Sequence, residues 1–403
     1  MEQLIAKYTT STSALAQTGA VTKEPAVILL TGSAGNLGSQ ILALLLKDDR
    51  VLKIYGFERS AGKSLAERHL NIFKQRGLDT LFLASPKLTL LEGQMDQRNL
   101  GLKPDLYEEI RTSVTLIIHG AWRLNFNMTL SSFEPYIMGT RCLIDLALSS
   151  PHRPRFLFTS SISTAQSWDA TCRPCPEEIL DDPSVAMRGY GQSKYVIEQI
   201  LAKSDLNATS LRLGQICGAQ PKGAWATSNW VPILVKTSIT LGCLPLADGA
   251  SIPNQKNHTV VDVAFTPLKT SERLPHVLNV VHPRPVSWNF VVNCIRDVLS
   301  KEKNGGKDLR LVGFHDWYKK LQVRVRFVPP GLKLLSFFGH LASSSVGSAN
   351  AEFGGTSFSV DKIQALSPAV RGVRSITEED VEAWVDYWHS SGFIAAESPQ
   401  SHL

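Results

Sequence analysis

The chain carries the segment Thr31-Gly32-Ser33-Ala34-Gly35-Asn36-Leu37-Gly38, which stands between an apolar run, residues 26–30, and an amphipathic stretch, residues 39–47. The order strand, glycine turn, helix is the context in which this spacing of glycines binds a dinucleotide. Gly32 lets the strand turn sharply, Gly35 lets the backbone approach a pyrophosphate, and Gly38 lets helix and strand pack closely. The segment therefore predicts a dinucleotide site whose phosphates lie at the start of the helix.

The composition is that of a globular protein with a large core. The chain has 403 residues, of which 43% are hydrophobic and 19% charged, enough for two or three domains. Its net charge of +6 suits an anionic cofactor or an acidic acyl carrier, with an ordinary excess of solvated surface charge as the alternative. The sequence has no basic run with interleaved aromatic residues, so we expect no nucleic-acid partner. No apolar stretch approaches the roughly 18 residues that a membrane helix needs, so no membrane span is predicted.

The cysteines and the last residues bear on the compartment. Six cysteines in a chain of this length indicate a reducing environment rather than a disulfide scaffold. Cys172 and Cys175 form a lone pair with no second ligand pair nearby, and we predict no metal site. The ending Ser401-His402-Leu403 resembles the Ser-Lys-Leu peroxisomal address, with a chance ending as the alternative. We therefore expect a cytoplasmic or peroxisomal protein.

Apolar strand candidates alternate with helical stretches from residue 25 to residue 215. This alternation predicts an α/β fold with a doubly wound parallel sheet of the Rossmann type. The predicted strands are residues 26–30, 51–57, 88–91, 115–119, 155–159 and 208–213. The predicted helices are residues 38–47, 64–76, 107–112, 131–149 and 190–203.

The alternation also suggests how the chain divides. We expect an N-terminal linker (residues 1–24), an NAD(P)-binding domain (residues 25–215), a smaller substrate-binding lobe (residues 216–396) and a C-terminal tail (residues 397–403). The predicted elements of the lobe are a strand at 279–281, which would return late to the sheet, and helices at 288–298 and 378–388. Thr377 is the predicted N-cap of the last helix. A cleft between the two parts is the expected ligand site.

A second motif, Tyr190-Gly191-Gln192-Ser193-Lys194, lies in a predicted helix far along the chain. Residues four apart lie on one face of a helix, so Tyr190 and Lys194 would be neighbours. A tyrosine with its ordinary pKa of about 10 is a poor acid–base group at neutral pH. We expect the neighbouring ammonium to lower that pKa, and Lys194 also to hold the ribose hydroxyls of a nicotinamide nucleotide.

Ser160 and Ser161 follow the fifth predicted strand, at the edge where open parallel sheets place their ligands. One of these hydroxyls would give a developing oxyanion a second hydrogen bond. Loss of such a donor typically removes about 3–4 kcal/mol of transition-state stabilisation. Taken singly, a Tyr–Lys pair can be a solvated helix face and a Ser-Ser step a simple turn. Together with the glycine turn, they occur in the order that one chemistry requires, the reduction of a carbonyl by hydride.

These motifs together resemble the extended short-chain dehydrogenases/reductases. More narrowly, they resemble the terminal thioester-reductase domain of carboxylic acid reductases and of fungal nonribosomal-peptide-synthetase-like enzymes. The segments that carry the resemblance are 30–39, 119–127, 132–135, 189–194 and 211–216, with weaker matches at Trp225, 261–262 and 279–281. The resemblance implies a reductase of secondary metabolism whose catalytic residues are Ser161, Tyr190 and Lys194. Ser160 is the second choice for the hydroxyl.

The implied reaction brings hydride from NADPH to the carbonyl of an acyl thioester, either acyl-CoA or a carrier-bound acyl group. Tyr190 and Ser161 would stabilise the oxyanion. The hemithioacetal would then collapse to an aldehyde and a thiol, and a second hydride transfer would give an alcohol. Because adenylation and carrier domains are absent from this sequence, we expect an acyl carrier protein or an acyl-CoA to supply the substrate in trans.

The resemblance also implies how the cofactor is bound. An arginine just after the second strand holds the 2′-phosphate of NADPH in such enzymes, which here is Arg59, with Arg68 the second candidate. Glu58 stands beside Arg59 at the spacing of an acid that binds the ribose of NAD, so we expect NADP and keep NAD as the alternative. The implied cofactor-binding residues are Gly32, Ser33, Gly35, Asn36, Leu37, Gly38, Arg59, Arg68, Gln94, Ala121, Tyr190 and Lys194.

Trp122, Gln215 and Trp225 are the predicted substrate contacts, with core packing or a loop hydrogen bond as the alternative for each. His119 is predicted to be a packed histidine rather than a catalyst. Two rival functions stay open. The same residues could reduce a free aldehyde or ketone, or the chain could be a non-catalytic nucleotide-binding scaffold.

Overall fold

The computed structural model describes most of the chain. The described residues are 1–9, 25–169, 173–218, 222–252, 254–256, 260, 263–264, 266–270, 272–301, 309–324, 331, 334–344, 351–352 and 356–394. The predictions made on Cys172, on residues 261–262 and on the ending Ser401-His402-Leu403 lie outside these ranges, so a peroxisomal address stays a prediction. Within these ranges, no helix has the length and apolarity needed to cross a membrane.

The strands are β1 Ala26–Thr31, β2 Val51–Arg59, β3 Leu88–Gly93, β4 Leu116–His119, β5 Arg155–Ser161, β6 Ala208–Leu213, β7 Gln215–Cys217, β8 Cys243–Leu246, β9 Ala250–Ile252, β10 Asn254–Lys256, β11 Val277–Val280, β12 Val286–Ser287, β13 Arg310–Gly313 and β14 Ala351–Glu352. The helices are α1 Glu2–Tyr8, α2 Asn36–Lys47, α3 Leu65–Arg76, α4 Pro104–Ser113, α5 Glu134–Ser149, α6 Arg188–Ala202, α7 Trp230–Leu241, α8 Thr266–Lys269, α9 Trp288–Ser300, α10 Phe314–Arg324, α11 Leu335–Ser344, α12 Asp361–Leu366, α13 Pro368–Gly372 and α14 Glu378–Ser390.

A seven-stranded parallel sheet organises the fold, in the order β11-β6-β5-β4-β1-β2-β3. This confirms the predicted doubly wound sheet. The strand order reverses beside β1, which pairs with β2 on one side and β4 on the other. In open sheets of this kind, ligands bind at the carboxyl ends of the strands next to the reversal. Thr31 and His119 are paired there, at the ends of β1 and β4.

Several predicted elements differ from the observed ones at their ends. Strand β5 continues through Ser161, so both strand-end serines are part of the sheet. The helix predicted from residue 131 begins at Glu134, because a 3₁₀ turn, Leu130–Phe133, precedes it. The helix predicted from residue 107 begins earlier, at Pro104, a residue that suits the first helical turn because it needs no N–H partner.

Residues beyond 216 build a second apolar core, and one strand among them joins the main sheet. Strand β11 pairs with β6 through Val277–Val280. The core contains the buried tryptophans Trp225, Trp288, Trp317, Trp384 and Trp388. Helix α14 seals this core and begins with a capping box, in which Thr377 and Asp380 exchange hydrogen bonds. The boundary at residue 215 between two functional parts stays a prediction.

Gly38 shows how tightly the glycine turn is packed against helix α2. A Cβ atom built at Gly38 would lie 2.0 Å from the carbonyl oxygen of Gly32, closer than non-bonded atoms can approach. We therefore expect Gly38→Ala to lower the free energy of unfolding by about 1–3 kcal/mol through overpacking, and to weaken dinucleotide binding. Denaturant unfolding and nucleotide titration measure the two effects.

Gly372→Ala is the matched control, because no heavy atom lies within 4 Å of a Cβ atom at that position. We expect its unfolding free energy to stay within about 0.5 kcal/mol of the parent protein. Equal effects of the two substitutions would contradict the packing argument.

Candidate active site

The turn between β1 and α2 has the shape of a phosphate cradle. Gly32 has a φ of 78°, and a Cβ atom there would lie 2.9 Å from the backbone nitrogen of Ala121. Helix α2 begins directly after its N-cap Gly35, which has no side chain to cap the first N–H groups of the helix. Such N–H groups, at the positive end of the helix dipole, suit an anion. The buried Oδ1 atom of Asn36 also has no hydrogen-bond partner among the described residues. The turn therefore fits the pyrophosphate of a dinucleotide.

A cavity of about 500 Å³ opens at this turn and extends to residues beyond 216. It brings together most of the predicted site residues, which come from distant parts of the chain. Those at its wall are Gly32, Gly35, Asn36, Leu37, Gly38, Trp122, Ser161, Tyr190, Lys194 and Gln215. The predicted residues that do not line it are Ser33, Arg59, Arg68, Gln94, Ala121 and Trp225.

Tyr190 lies at the cavity wall between two aromatic rings. Its ring centroid is 5.4 Å from that of Phe126 and 6.1 Å from that of Phe133, both edge to face. Burial raises the pKa of Tyr190 to about 12, and a hydrogen bond with Ser161 opposes this effect. The prediction that a neighbouring ammonium lowers this pKa is therefore wrong for the protein chain by itself, because desolvation of the phenolate dominates.

Lys194 is held inside an aromatic cage. Its Nζ atom donates a hydrogen bond of 2.6 Å to the backbone oxygen of Thr159. The same atom lies 4.3 Å from the ring centroid of Trp122 and 4.4 Å from that of Phe158. Burial lowers the pKa of Lys194 well below its usual range, and the charge of Glu198 acts against this. Lys194 is 6.0 Å from the Tyr190 ring centroid, so the two groups share one site.

The two strand-end serines have different environments. Ser160 donates a 2.5 Å hydrogen bond to Glu198, which also forms a buried ion pair with Arg212 at 2.7 Å. Ser161 instead donates to the hydroxyl of Ser163 at 3.2 Å and contacts the phenol of Tyr190. Successive side chains of a strand point to opposite faces of the sheet, so Ser160 and Ser161 cannot both point towards Tyr190. The geometry favours Ser161 as the hydroxyl beside Tyr190.

His119 is buried near Lys194 with both ring nitrogens engaged. Nδ1 lies 2.7 Å from the hydroxyl of Thr31, and Nε2 lies 3.0 Å from the hydroxyl of Thr140. Burial, and then the charge of Lys194, lowers the pKa of His119 to about 3. A histidine that stays neutral and doubly hydrogen-bonded packs the site, in agreement with its predicted role.

Ser33 and Arg68 are tied to Glu58 rather than turned towards the cavity. One Glu58 oxygen accepts from the backbone nitrogen of Ala34 at 2.6 Å and from the Ser33 hydroxyl at 3.2 Å. The other accepts from Arg68 at 2.9 Å. The hydroxyl of Ser33 lies buried between Glu58 and His69, so the predicted binding of the cofactor by Ser33 would have to use its backbone and stays a prediction.

Trp225 also needs correction as a substrate contact. Its side chain is 1% exposed and packs at 4.8 Å, ring centroid to ring centroid, against Trp384 in the second core. Its Nε1 atom donates to Asn229, a cavity residue that also accepts a 3.1 Å hydrogen bond from Gln215. Trp225 therefore supports the cavity wall from behind, whereas Trp122 and Gln215 form part of it.

Gln94 and Ala121 do not line the cavity. The exposed side chain of Gln94 accepts a hydrogen bond from Gln97 at 3.1 Å. The backbone nitrogen of Ala121 donates to the Thr31 hydroxyl at 3.2 Å. Ala121 thus helps to hold the end of β1 in place.

The sequence reasoning missed several residues that the fold brings to the site. Glu198 lies one helical turn beyond Lys194, a spacing that could have drawn attention to it. Phe126, Arg188 and Phe337 line the cavity beyond Tyr190, and nothing local in the sequence joins them.

A phenol and a lysine one helical turn apart meet a strand-end hydroxyl at the carboxyl edge of a dinucleotide-binding sheet. This arrangement defines the class, an NAD(P)-dependent oxidoreductase of the extended short-chain dehydrogenase/reductase type.

Comparisons with known proteins agree with this class. The family model for the NAD-binding domain described as male sterility protein matches residues 30–265, more than half of the chain, and the chain belongs to that family. Adenylate-forming reductase Nps11 of Serpula lacrymans is 46% identical over 389 residues, which are 91% of this chain and 35% of that protein. Carboxylic acid reductase of Neurospora crassa is 30% identical over 413 residues, which are 96% of this chain and 37% of that protein.

The chain thus spans about a third of the length of these curated relatives. Among solved structures, the terminal R domain from the myxalamid biosynthetic pathway has the same fold, with a TM-score of 0.82, 22% identity and 98% of each chain covered. These matches confirm the resemblance to thioester-reductase domains.

The contrast between the two serines is testable. We expect Ser161→Ala to lower kcat about 10²–10³-fold, as the loss of an oxyanion donor does. Ser160→Ala is the matched control, since it removes a donor from Glu198 instead. We expect it to lower the free energy of unfolding by about 1–3 kcal/mol while kcat falls less than about tenfold. Steady-state kinetics and denaturant unfolding of both variants decide the matter, and a larger loss of kcat in Ser160→Ala would reverse the assignment.

Proposed function

We propose that the chain is an NADPH-dependent reductase of acyl thioesters that yields an aldehyde and a free thiol. The observation that carries this proposal is the placement of Tyr190, Ser161 and Lys194 around one cavity that begins at the glycine turn. When bound, the reduced nicotinamide supplies the hydride. The rest of the chemistry falls to side chains that hold the carbonyl oxygen and give it a proton.

Tyr190 is suited to be the proton donor. Burial raises its pKa to about 12, so the phenol is protonated at neutral pH and a weak acid, and it gives its proton only to a strongly basic oxygen such as the alkoxide that hydride transfer creates. Ser161 lies against the same phenol and supplies a second hydrogen bond to that oxygen. A hydride acceptor whose charge develops on oxygen needs such donors to be in place beforehand.

Lys194 is suited to bind and orient the nucleotide. An ammonium has three N–H donors, and the backbone oxygen of Thr159 takes one of them. The rings of Trp122 and Phe158 favour the charged form by cation–π contact although burial disfavours it. We infer that the other donors hold the ribose hydroxyls next to the nicotinamide, as the resemblance implies.

The surroundings of Glu58 support NADP over NAD. An acid after the second strand would bind the ribose of NAD, but Glu58 already accepts hydrogen bonds from Ala34, Ser33 and Arg68. The next residue, Arg59, is exposed at the end of β2 and forms no ion pair with any residue in the described ranges. We propose that Arg59 binds the 2′-phosphate and that Arg68 offsets the charge of Glu58.

An acyl-CoA or an acyl carrier protein is the proposed source of the thioester. One structural neighbour is a thiolation-reductase di-domain from an archaeal nonribosomal peptide synthetase, with a TM-score of 0.71. The net charge of +6 would favour either acidic donor. The similarity to an adenylate-forming reductase and a carboxylic acid reductase of fungi supports the proposal of a reductase in fungal secondary metabolism.

The second candidate function is reduction of a free aldehyde or ketone, which the same three residues would support. The two functions separate when purified protein and NADPH are given either an acyl-CoA or the matching aldehyde. Thioester reduction predicts oxidation of NADPH and release of a thiol with the acyl-CoA. Oxidation with the aldehyde alone would exclude the first candidate.

We expect Tyr190→Phe to lower kcat about 10²–10⁴-fold, since it removes the proton donor. The KM for NADPH should stay close to that of the parent protein. Tyr195→Phe is the matched control, because Tyr195 lies on the same helix and donates instead to the backbone oxygen of Leu180 at 2.7 Å. Its expected effect is a loss of about 1 kcal/mol of stability with little change in turnover. Full activity in Tyr190→Phe would remove the catalytic assignment of Tyr190, whereas absence of turnover in the parent protein would favour the scaffold alternative.

We expect Arg59→Ala to raise the KM for NADPH about 10–100-fold, because it removes a charge-assisted hydrogen bond to the 2′-phosphate. The KM for NADH should stay unchanged. Lys63→Ala is the control, since Lys63 is an exposed cation of the same segment. A parent protein that prefers NADH, or equal effects on both nucleotides, would contradict the assignment of Arg59.

A further inference from the structure

The cavity continues beyond the three proposed catalytic groups along an aromatic wall. The ring of Phe126 contacts Tyr190 at 5.4 Å and stacks on Phe337 at 5.2 Å with an angle of 17° between the planes. The ring of Trp230 follows at 5.8 Å from Phe337. All of these residues line the cavity. A substrate whose carbonyl meets Tyr190 would therefore lay its acyl group against aromatic faces.

Arg188 places a cation on this wall. Its guanidinium carbon lies 5.8 Å from the ring centroid of Phe337, and Nη2 donates to the backbone oxygen of Ser336 at 3.1 Å. Burial is the one influence that shifts its pKa, which it lowers, and no acidic residue in the described ranges pairs with it. A guanidinium has five N–H donors, so the acceptor at Ser336 leaves most of them without a hydrogen bond to the part of the chain that the structure describes.

The backbone holds Arg188 at this position under strain. Arg188 is the first residue of α6 and has a φ of 56°, a conformation that residues other than glycine rarely adopt. The next residue has to be a glycine, since a Cβ atom at Gly189 would lie 2.3 Å from the backbone oxygen of Met128. Residues with strained backbone angles of this kind are concentrated at active sites and ligand-binding sites. Here the strained residue lies two positions before Tyr190.

A partly desolvated guanidinium with no carboxylate partner favours a ligand that brings the anion. His340 does not supply one, because its pKa is lowered by burial and by Arg188 itself. The geometry points to Arg188 as the residue that selects the acyl group: an aromatic acyl group lies along Phe126 and Phe337, and Arg188 binds an oxygen anion that it carries. This inference rests on the proposed function for the reacting carbonyl, but not on whether that carbonyl is a thioester or an aldehyde.

The test compares two N-acetylcysteamine thioesters, benzoyl and 4-carboxybenzoyl, in the parent protein and in Arg188→Gln. N-acetylcysteamine carries no phosphate, so any effect of charge comes from the acyl group. We expect the parent protein to favour the 4-carboxybenzoyl thioester in kcat/KM. We expect Arg188→Gln to lose about 10–100-fold on that substrate and less than about threefold on benzoyl. Arg188→Lys should restore part of the preference for the 4-carboxybenzoyl thioester, because lysine keeps the positive charge but lacks the planar pair of N–H donors of a guanidinium.

Arg123→Gln is the matched control, since Arg123 is an exposed arginine outside the cavity wall. Equal losses on both thioesters in Arg188→Gln would mean a structural role and would overturn the inference. A loss that appears with benzoyl-CoA but not with either N-acetylcysteamine thioester would assign Arg188 to a phosphate of the donor, which also overturns it.

If the parent protein reduces neither thioester, the thioester proposal fails while the inference on Arg188 is still tested. The same comparison is then made with benzaldehyde and 4-carboxybenzaldehyde, where the same preference is expected. Equal kcat/KM values for the two aldehydes in the parent protein would overturn the inference on Arg188 alone.

Discussion

The buried ion pair between Glu198 and Arg212 holds the proposed active site in place. The two side chains are 1% and 0% exposed, and Arg212 donates hydrogen bonds to both carboxylate oxygens of Glu198. Glu198 belongs to the same helix as Tyr190 and Lys194, and Arg212 belongs to strand β6. Breaking a buried pair by removing one partner typically costs about 3–5 kcal/mol, so the helix position relative to the sheet is strongly fixed. Because Ser160 donates to the same carboxylate, the end of β5 is fixed to the helix as well.

Desolvation gives the site its character as a proton-donating environment. It raises the pKa of Tyr190, lowers that of Lys194 and lowers that of His119, always against the charged form. A site that resists charge in its resting state has donors ready for an oxygen that becomes negative during reduction. The low polarity around Trp122 and Phe158 also strengthens every hydrogen bond made there.

Much of this architecture can be predicted from local sequence, and the exceptions have physical causes. The strands of the main sheet are short apolar runs, so their positions follow from composition. Their carboxyl ends do not, because residues such as Ser160 and Ser161 are polar yet buried in the sheet. The small strands beyond residue 216 escape prediction because β9 is only three residues long and pairs with two distant partners, β12 at Val286–Ser287 and β14 at Ala351–Glu352. No period of two can be detected in so short a segment.

In the same way, some residues of the site can be predicted from local sequence, whereas others depend on contacts between distant parts of the chain. The Tyr190–Lys194 spacing is a local property of one helix, whereas the pKa of Tyr190 depends on what the whole fold places around it. Glu198 lies four residues beyond Lys194 and is an acid next to apolar residues such as Ile197 and Ile200, a pattern that could have indicated a buried charged partner. Arg188 offers no comparable signal, since its carbonyl acceptor at Ser336 is 148 residues away. A residue such as Glu198, which fixes the helix of Tyr190 and Lys194, can thus be predicted from its spacing along that helix. A residue that would contact the acyl group across the cavity cannot be predicted in this way, because its position depends on the tertiary fold.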